Sequence, residues 1–272
     1  MSLNSAIEWT DATWNPTTGC DRVSPGCDNC YALTLAKRLQ AMGNPRYQRD
    51  GNPRTSGPGF GLTVHPDKLE EPYRWRKPRR VFVNSMSDLF HASVPTEFIH
   101  AVFEVMADLP QHQFQVLTKR PRRMITAVNA WYQRTGRAIA PNIWMGTSVE
   151  DQRWADKRIP LLCDVPAAVR FLSCEPLLGP IRLSHVDALD WVIVGGESGW
   201  RARPIEGDWV RSLRDQCRSN GIAFFFKQWG GRTPKAGGRT LDGRTWDEYP
   251  SGQWSDGGTK QANLGLLDQG QA

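Results

Sequence analysis

Short runs of β-branched and aromatic residues recur along the middle of the chain. Each is followed by a polar turn and then by a stretch whose apolar positions have helical spacing. The runs occupy 81–83, 114–117, 142–145, 169–172, 191–194 and 223–226. Their starts lie roughly 20 to 35 residues apart, the pitch of βα units joined into a parallel sheet. The segments 97–107, 121–134, 149–159 and 208–219 predict the intervening helices, the last stopped by Gly221. A seventh strand is expected around 7–14 and a further helix over 32–41. The fold class this pattern predicts is α/β, a partial or complete (βα) barrel. The barrel is expected to take residues 1–231. Residues 232–272, rich in Gly, Trp and polar residues, read as a C-terminal extension with a short hairpin and a disordered end. Residues 43–60, rich in Gly, Pro and Arg, read as a long surface loop.

Composition narrows the classes. In 272 residues, 39% are hydrophobic and 23% charged, and mean hydropathy is −0.51. That supplies a core and excludes disordered, collagen-like and coiled-coil chains. No run of about 18 apolar residues occurs, so no membrane span is expected. The N-terminal stretch MSLNSAIEWTDATW lacks an apolar signal core, which predicts a cytoplasmic protein whose six cysteines are thiols. Twelve Trp suggest aromatic packing, a stacking surface, or both.

The cysteines bring in chemistry. Cys20, Cys27 and Cys30 form C-x6-C-x2-C inside TTGCDRVSPGCDNCYA, a turn-rich loop leading into the 32–41 helix. Thiolates bind soft metals, and three without a local fourth suggest an incomplete shell. A [4Fe–4S] cubane on three cysteines leaves one iron open to a small molecule. A zinc site completed by a distant residue such as His91, and simple packing of thiols, are the alternatives. Cys163 and Cys217 are isolated, whereas Cys174 stands at an expected strand end in LSCEPLLGP.

The blocks WTDATWNPTTGC, GCDNCYA, KPRRVFVNSMSDLFH, VLTKRP, WMGTSVE, FLSCEPLLGPI, VIVGGESG and FFFKQWGG run from about Ile7 to Gly231. In these the chain resembles the phage Gp37/Gp68 family of three-Cys-motif proteins, which is in turn similar to radical S-adenosylmethionine (SAM) enzymes. The resemblance implies a partial barrel whose three-Cys loop holds [4Fe–4S]. It also implies an open iron that chelates the amino and carboxylate groups of SAM, and a reaction begun by a 5′-deoxyadenosyl radical. The first cysteine spacing here is longer than the usual C-x3-C-x2-C of those enzymes. Gly195-Gly196-Glu197 follows a late strand, whereas their motif for the SAM amino group follows the second.

Barrel active sites are built at the C-terminal ends of strands, where this sequence places polar residues. Asn84, Ser87 and Asp88 have the donors and acceptors that an amino-acid moiety needs, or they cap the turn that follows. Thr147, Ser148 and Glu150 suit a ribose, or a helix cap. Gly195, Gly196 and Glu197 allow close approach to a cofactor. Cys174, Glu175 and Lys227 are the expected catalytic groups, with an internal ion pair as the alternative for Lys227.

Charge is uneven. Residues 37–80 hold 11 Lys and Arg against 4 acidic residues, +7 of a chain total of +6, which leaves −1 for the rest. This segment, with Arg76, Lys77, Arg79 and Arg80, and the cluster Lys119, Arg122 and Arg123 are the expected DNA or RNA contacts; a solvated face is the alternative. The expected function is an iron–sulfur, radical-SAM-like enzyme using [4Fe–4S] and SAM on a substrate of nucleic-acid type. The rivals are a metal-stabilised nucleic-acid-binding module, and a subunit working with a protein encoded nearby.

Overall fold

The computed structural model describes residues 5–250. In chain order its elements are β1 (Ala12–Trp14), β2 (Thr17–Thr18), α1 (Tyr31–Ala41), β3 (Thr63–Val64), β4 (Arg80–Val83), α2 (Thr96–Ala107), β5 (Gln113–Thr118), α3 (Pro121–Thr135), β6 (Ile143–Ser148), α4 (Gln152–Cys163), β7 (Arg170–Cys174), β8 (Trp191–Gly195), α5 (Gly207–Ser219) and β9 (Ala223–Gln228). Seven strands form one parallel sheet in the order β1-β4-β5-β6-β7-β8-β9. β2 and β3 make a separate antiparallel pair. The protein is therefore an open, partial (βα) barrel, unpaired between β1 and β9 among the described residues.

The strands are buried on both faces, and alternation sorts their residues into two clusters. Val81, Val83, Val116, Leu172, Val192 and Phe224 pack with Phe103, Val128, Ile159 and Leu213 from the helices. The alternate positions, Phe82, Trp144, Phe171, Ile193 and Phe225, form a second cluster with Trp9 and Trp191 and no helical residue. Its rings show the curl of the sheet. Trp9, just before β1, lies 4.7 Å from Phe82 and also 6.2 Å from Trp191 across the barrel. Gly146 makes room for this inner packing, because a Cβ there would sit 2.4 Å from the Phe171 ring.

The tail after β9 packs back onto the sheet. The Phe226 amide donates to Trp246 O (2.9 Å), and Tyr249 stacks 5.1 Å from Trp191. A tight Leu241–Arg244 turn stands where a short hairpin is expected. The disordered end expected for the extension falls on 251–272, outside the described residues. The 43–60 loop is anchored, since Tyr47 and Phe60 are buried with Ala32, Ala36 and Met86. Among the described residues no helix is long and apolar enough to cross a membrane.

Candidate metal and cofactor site

A cavity of about 700 Å³ opens at the C-terminal ends of the strands, where the fold leaves βα loops free to carry chemistry. Cys20, Cys27 and Cys30 all line it. The loop bearing them begins after β2 and ends at Cys30, the N-cap of α1. Gly19 makes the entry possible: its φ is +84°, and a Cβ would lie 2.4 Å from Gly61 O.

Four strand ends hold this loop. After β4, Ser85 O accepts from the Tyr31 hydroxyl (2.5 Å), and Ser87 Oγ lies 2.6 Å from Thr17 Oγ1. After β5, Arg120 donates to Cys20 Sγ (3.4 Å) and Asp21 O (3.0 Å) while paired with Asp88 (2.9 Å). After β6, Glu150 accepts from the Gly26 amide (3.4 Å) and pairs with Arg158 of α4 (2.9 Å). After β8, Glu197 accepts from Asn29 Nδ2 (2.9 Å) and from Arg203 at 2.6 Å, and Arg203 also donates to Pro25 O (2.8 Å).

Several residues expected to touch a cofactor are therefore spent on the protein itself. Asp88 accepts from the Phe90 and Lys119 amides, from Thr118 and from Arg120, so both its oxygens are committed. Glu150 lies behind the loop. Thr147 donates to Thr118 O (2.9 Å), and the Gly195 carbonyl accepts from Leu177. Asn84, Ser87, Asp88, Ser148, Gly196 and Glu197 line the cavity, whereas Thr147, Glu150 and Gly195 do not. Asn84 gives its Nδ2 to Thr17 Oγ1 (2.7 Å), but its buried Oδ1 has no partner. Gly196 must be glycine, since a Cβ would meet Trp229 O at 2.0 Å.

Of the expected catalytic groups, Glu175 and Lys227 line the cavity as an ion pair (2.8 Å), with Ser173 donating to Glu175 (3.2 Å). Cys174 corrects the expectation: it is 0% exposed in the helix-side core, because neighbours on a strand point to opposite faces. Burial pushes its thiol well above the ordinary value, with Cys217 adding to the rise.

The basic residues also divide. Arg76, Lys77, Arg79 and Arg80 precede or begin β4, at the opposite end of the strands from the cavity. Arg80 pairs with Asp11 (3.1 Å) and lies 4.5 Å over the Tyr249 ring. Lys119 lines the cavity. Arg123 ties α3 to the carbonyls of Ala92 and Val94, and Arg122 is exposed on α3. His91, the residue named for the zinc alternative, is held by other partners. His91 Nδ1 accepts from the Ser93 amide (3.2 Å) and Nε2 faces Asp21 (2.9 Å), so both ring nitrogens are engaged.

Burial disfavours the thiolate form at Cys20 and Cys30, and the nearby cations and amides oppose it only in part. Burial pushes Cys20 up to about 12, with Asp88 adding to the rise and Arg120 opposing it. Burial also raises Cys30, against the Ala32 amide, the charge of Lys119 and the Leu33 amide. Arg120 thus touches Cys20, and the charge of Lys119 acts on Cys30. Burial tends to raise Glu197, but its hydrogen bonds to Arg203 and Asn29 win and hold it below the ordinary value. Among the described residues no three His, Cys, Asp or Glu side chains converge on a point that would hold a single metal ion. Arg120, Arg158 and Asn29 are the site residues that sequence reasoning missed. Arg120 had a signal in its place beside Lys119 at a strand end, whereas Arg158 had none.

The family model DUF5131, described as a protein of unknown function, matches residues 4–250. No curated protein matches the chain. Among solved structures, a cysteine-to-serine mutant of spore photoproduct lyase is similar at 12% identity and a TM-score of 0.45, over 79% of this chain and 63% of that one. A mutant of the same enzyme with bound AdoMet and dinucleoside spore photoproduct matches at 12% identity and a TM-score of 0.40, over 79% and 54%. The chain spans less than two thirds of these structures' own length.

Proposed function

The chain belongs to the DUF5131 family, whose function is unknown, and we propose that it is an iron–sulfur enzyme of radical-SAM-like type. The observation that carries this reading is the cysteine loop: three thiols line one cavity at the strand ends, with Arg120 donating to Cys20 and Lys119 lining the same cavity. A cubane puts each thiolate on a different iron, and the three thiols lining one cavity would supply that ligand set. The cations Arg120 and Lys119 would offset part of the charge of three thiolates. The two amides at the start of α1 favour a thiolate at Cys30.

When bound, such a cluster would supply an electron and an open iron for the amino and carboxylate groups of SAM. This chain's residues would do the rest. Asn84 Oδ1, buried and unpartnered, would accept from the SAM ammonium. Ser148 and Gly196 would face the rest of the cofactor. Glu175 and Lys227, paired across the cavity, would bind or exchange a proton with the substrate. Asp88, Glu150 and Glu197 would serve to position the loop through their partners. The substrate would be of nucleic-acid type, and residues 1–231 would form the catalytic unit.

The test is anaerobic purification with iron and sulfide. A brown protein with about four irons per chain, an electron paramagnetic signal on reduction, and a shift of that signal on adding SAM are expected. Cys20→Ser, Cys27→Ser and Cys30→Ser should each lose the colour. A colourless protein carrying stoichiometric zinc would overturn the proposal.

A further inference from the structure

An exposed tryptophan stands at the rim of the cavity. Trp200 is 79% exposed, two residues beyond cavity-lining Ser198. Burying its indole would remove one of the largest apolar side chains from water, so leaving it out is costly unless something covers it. It is held in place. The Arg232 guanidinium lies 4.2 Å over its ring, Ser198 bridges to Gly231, and Arg201 O accepts from Asn29 of the cysteine loop (2.9 Å). One ring face thus carries a cation, and at 79% exposure the indole keeps most of its surface open to solvent.

The two segments that form the rim carry charge of one sign. Residues 198–205 and 229–240 carry Arg201, Arg203, Arg232, Lys235 and Arg239 and no acid. Arg203 is paired with Glu197 and Arg239 with Asp247. No ion pair engages Arg201, Arg232 or Lys235 among the described residues, and Arg201, Arg232 and Lys235 are exposed. Lys235 lines the cavity itself, as do Arg22 and Lys119. Of the acids lining it, Asp21, Asp88, Glu175 and Glu197 are spent on partners, which leaves Glu8.

We infer that this rim binds a single-stranded polynucleotide, with one base stacked on Trp200 and the flanking phosphates on Arg201, Arg232 and Lys235. An aromatic face backed by a guanidinium and flanked by unpaired cations is the recognition chemistry of unpaired nucleic acid. A protein partner would also use Trp and Arg, but it would bring acids against some cations and apolar surface against a wider patch. Here the apolar element is one indole, and the unpaired charges on the two rim segments, Arg201, Arg232 and Lys235, are positive. The inference rests on the proposed reading of the cavity as a reaction chamber, and it names that chamber's substrate class.

The experiment is fluorescence anisotropy with labelled single-stranded DNA and RNA 20-mers at several salt concentrations, the two arms deciding which polynucleotide is preferred. Wild type should bind at least one, and Trp200→Ala should weaken binding about tenfold with an unchanged thermal midpoint. Trp200→Phe should retain most of the affinity. The double variant Arg232→Gln/Lys235→Gln should reduce the slope of log affinity against log salt by about 1.4. Equal affinity in wild type and Trp200→Ala, or no binding to either oligonucleotide, would overturn the inference. Iron content and the SAM-dependent spectrum are read on the same preparations. An intact cluster without oligonucleotide binding refutes this surface alone. Trp200-dependent binding by a chain that takes up no iron supports the surface and refutes the cluster.

Discussion

Arg158→Met should be among the most damaging single substitutions in the α-helical layer, although Arg158 does not line the strand-end cavity. Its side chain is 3% exposed and that of its partner Glu150 is 1% exposed, with 2.9 Å between them. Arg158 also donates to Ser148 O (2.8 Å). Without the guanidinium, Glu150 keeps a buried carboxylate whose remaining partner is the Gly26 amide at 3.4 Å. Breaking a buried pair in this way costs about 3–5 kcal/mol. In a chain of this size each kcal/mol moves the midpoint by about 2–4 °C, so a fall of about 6–20 °C is expected by circular dichroism. Removing both charges together in Glu150→Leu/Arg158→Met should recover most of that loss, because no charge is then left buried alone. Both variants should take up less iron, since each loosens Gly26 beside Cys27. A change below about 1 kcal/mol in Arg158→Met, or a double variant as unstable as the single one, would refute the argument that burial makes this pair a strut of the cysteine loop.

Three further outcomes follow from the same geometry. Glu197 is held below its ordinary value of 4.5, so it binds fewer protons folded than unfolded. Its stabilisation is complete above that value and is lost as pH falls through the depressed folded one; Glu197→Gln should flatten this acid limb of an unfolding-versus-pH series. Cys174→Ala should cost about 1–2 kcal/mol from the lost sulfur in the core and leave iron content unchanged, whereas a catalytic thiol would abolish turnover without touching stability. Asn84→Leu should weaken SAM binding about tenfold, read from the titration of the SAM-induced spectroscopic shift, with cluster content unaltered; unchanged binding would remove Asn84 from the cofactor site.

Six strands and five helices were legible because their signals are local. A run such as Trp191–Gly195 buries both faces, and its length and β-branched content show this without reference to the rest of the chain. The three cysteines were legible for a similar reason, since turn residues surround them within one short segment. The strand-end carboxylates were legible as unusual residues but not as what they do. Asp88, Glu150 and Glu197 look alike as acids after strands. Each is assigned its work by a cation or amide that the sequence places elsewhere: Arg120, Arg158 and Gly26, or Arg203 and Asn29.

The order of strands and helices, the three-thiol loop and the excess of positive charge are properties of this sequence by itself. The tertiary structure decided which charges meet. It put the 76–80 cations at the far end of the strands from the cysteines and turned Cys174 into the core beside a cavity-facing Glu175. It also brought Trp200 and Arg232 together at the cavity rim. The physical reason is that periodicity records which face a residue shows to its own neighbours, whereas ion pairs and stacked rings depend on Coulomb and contact distances between segments. Those distances exist only once the sheet has curled.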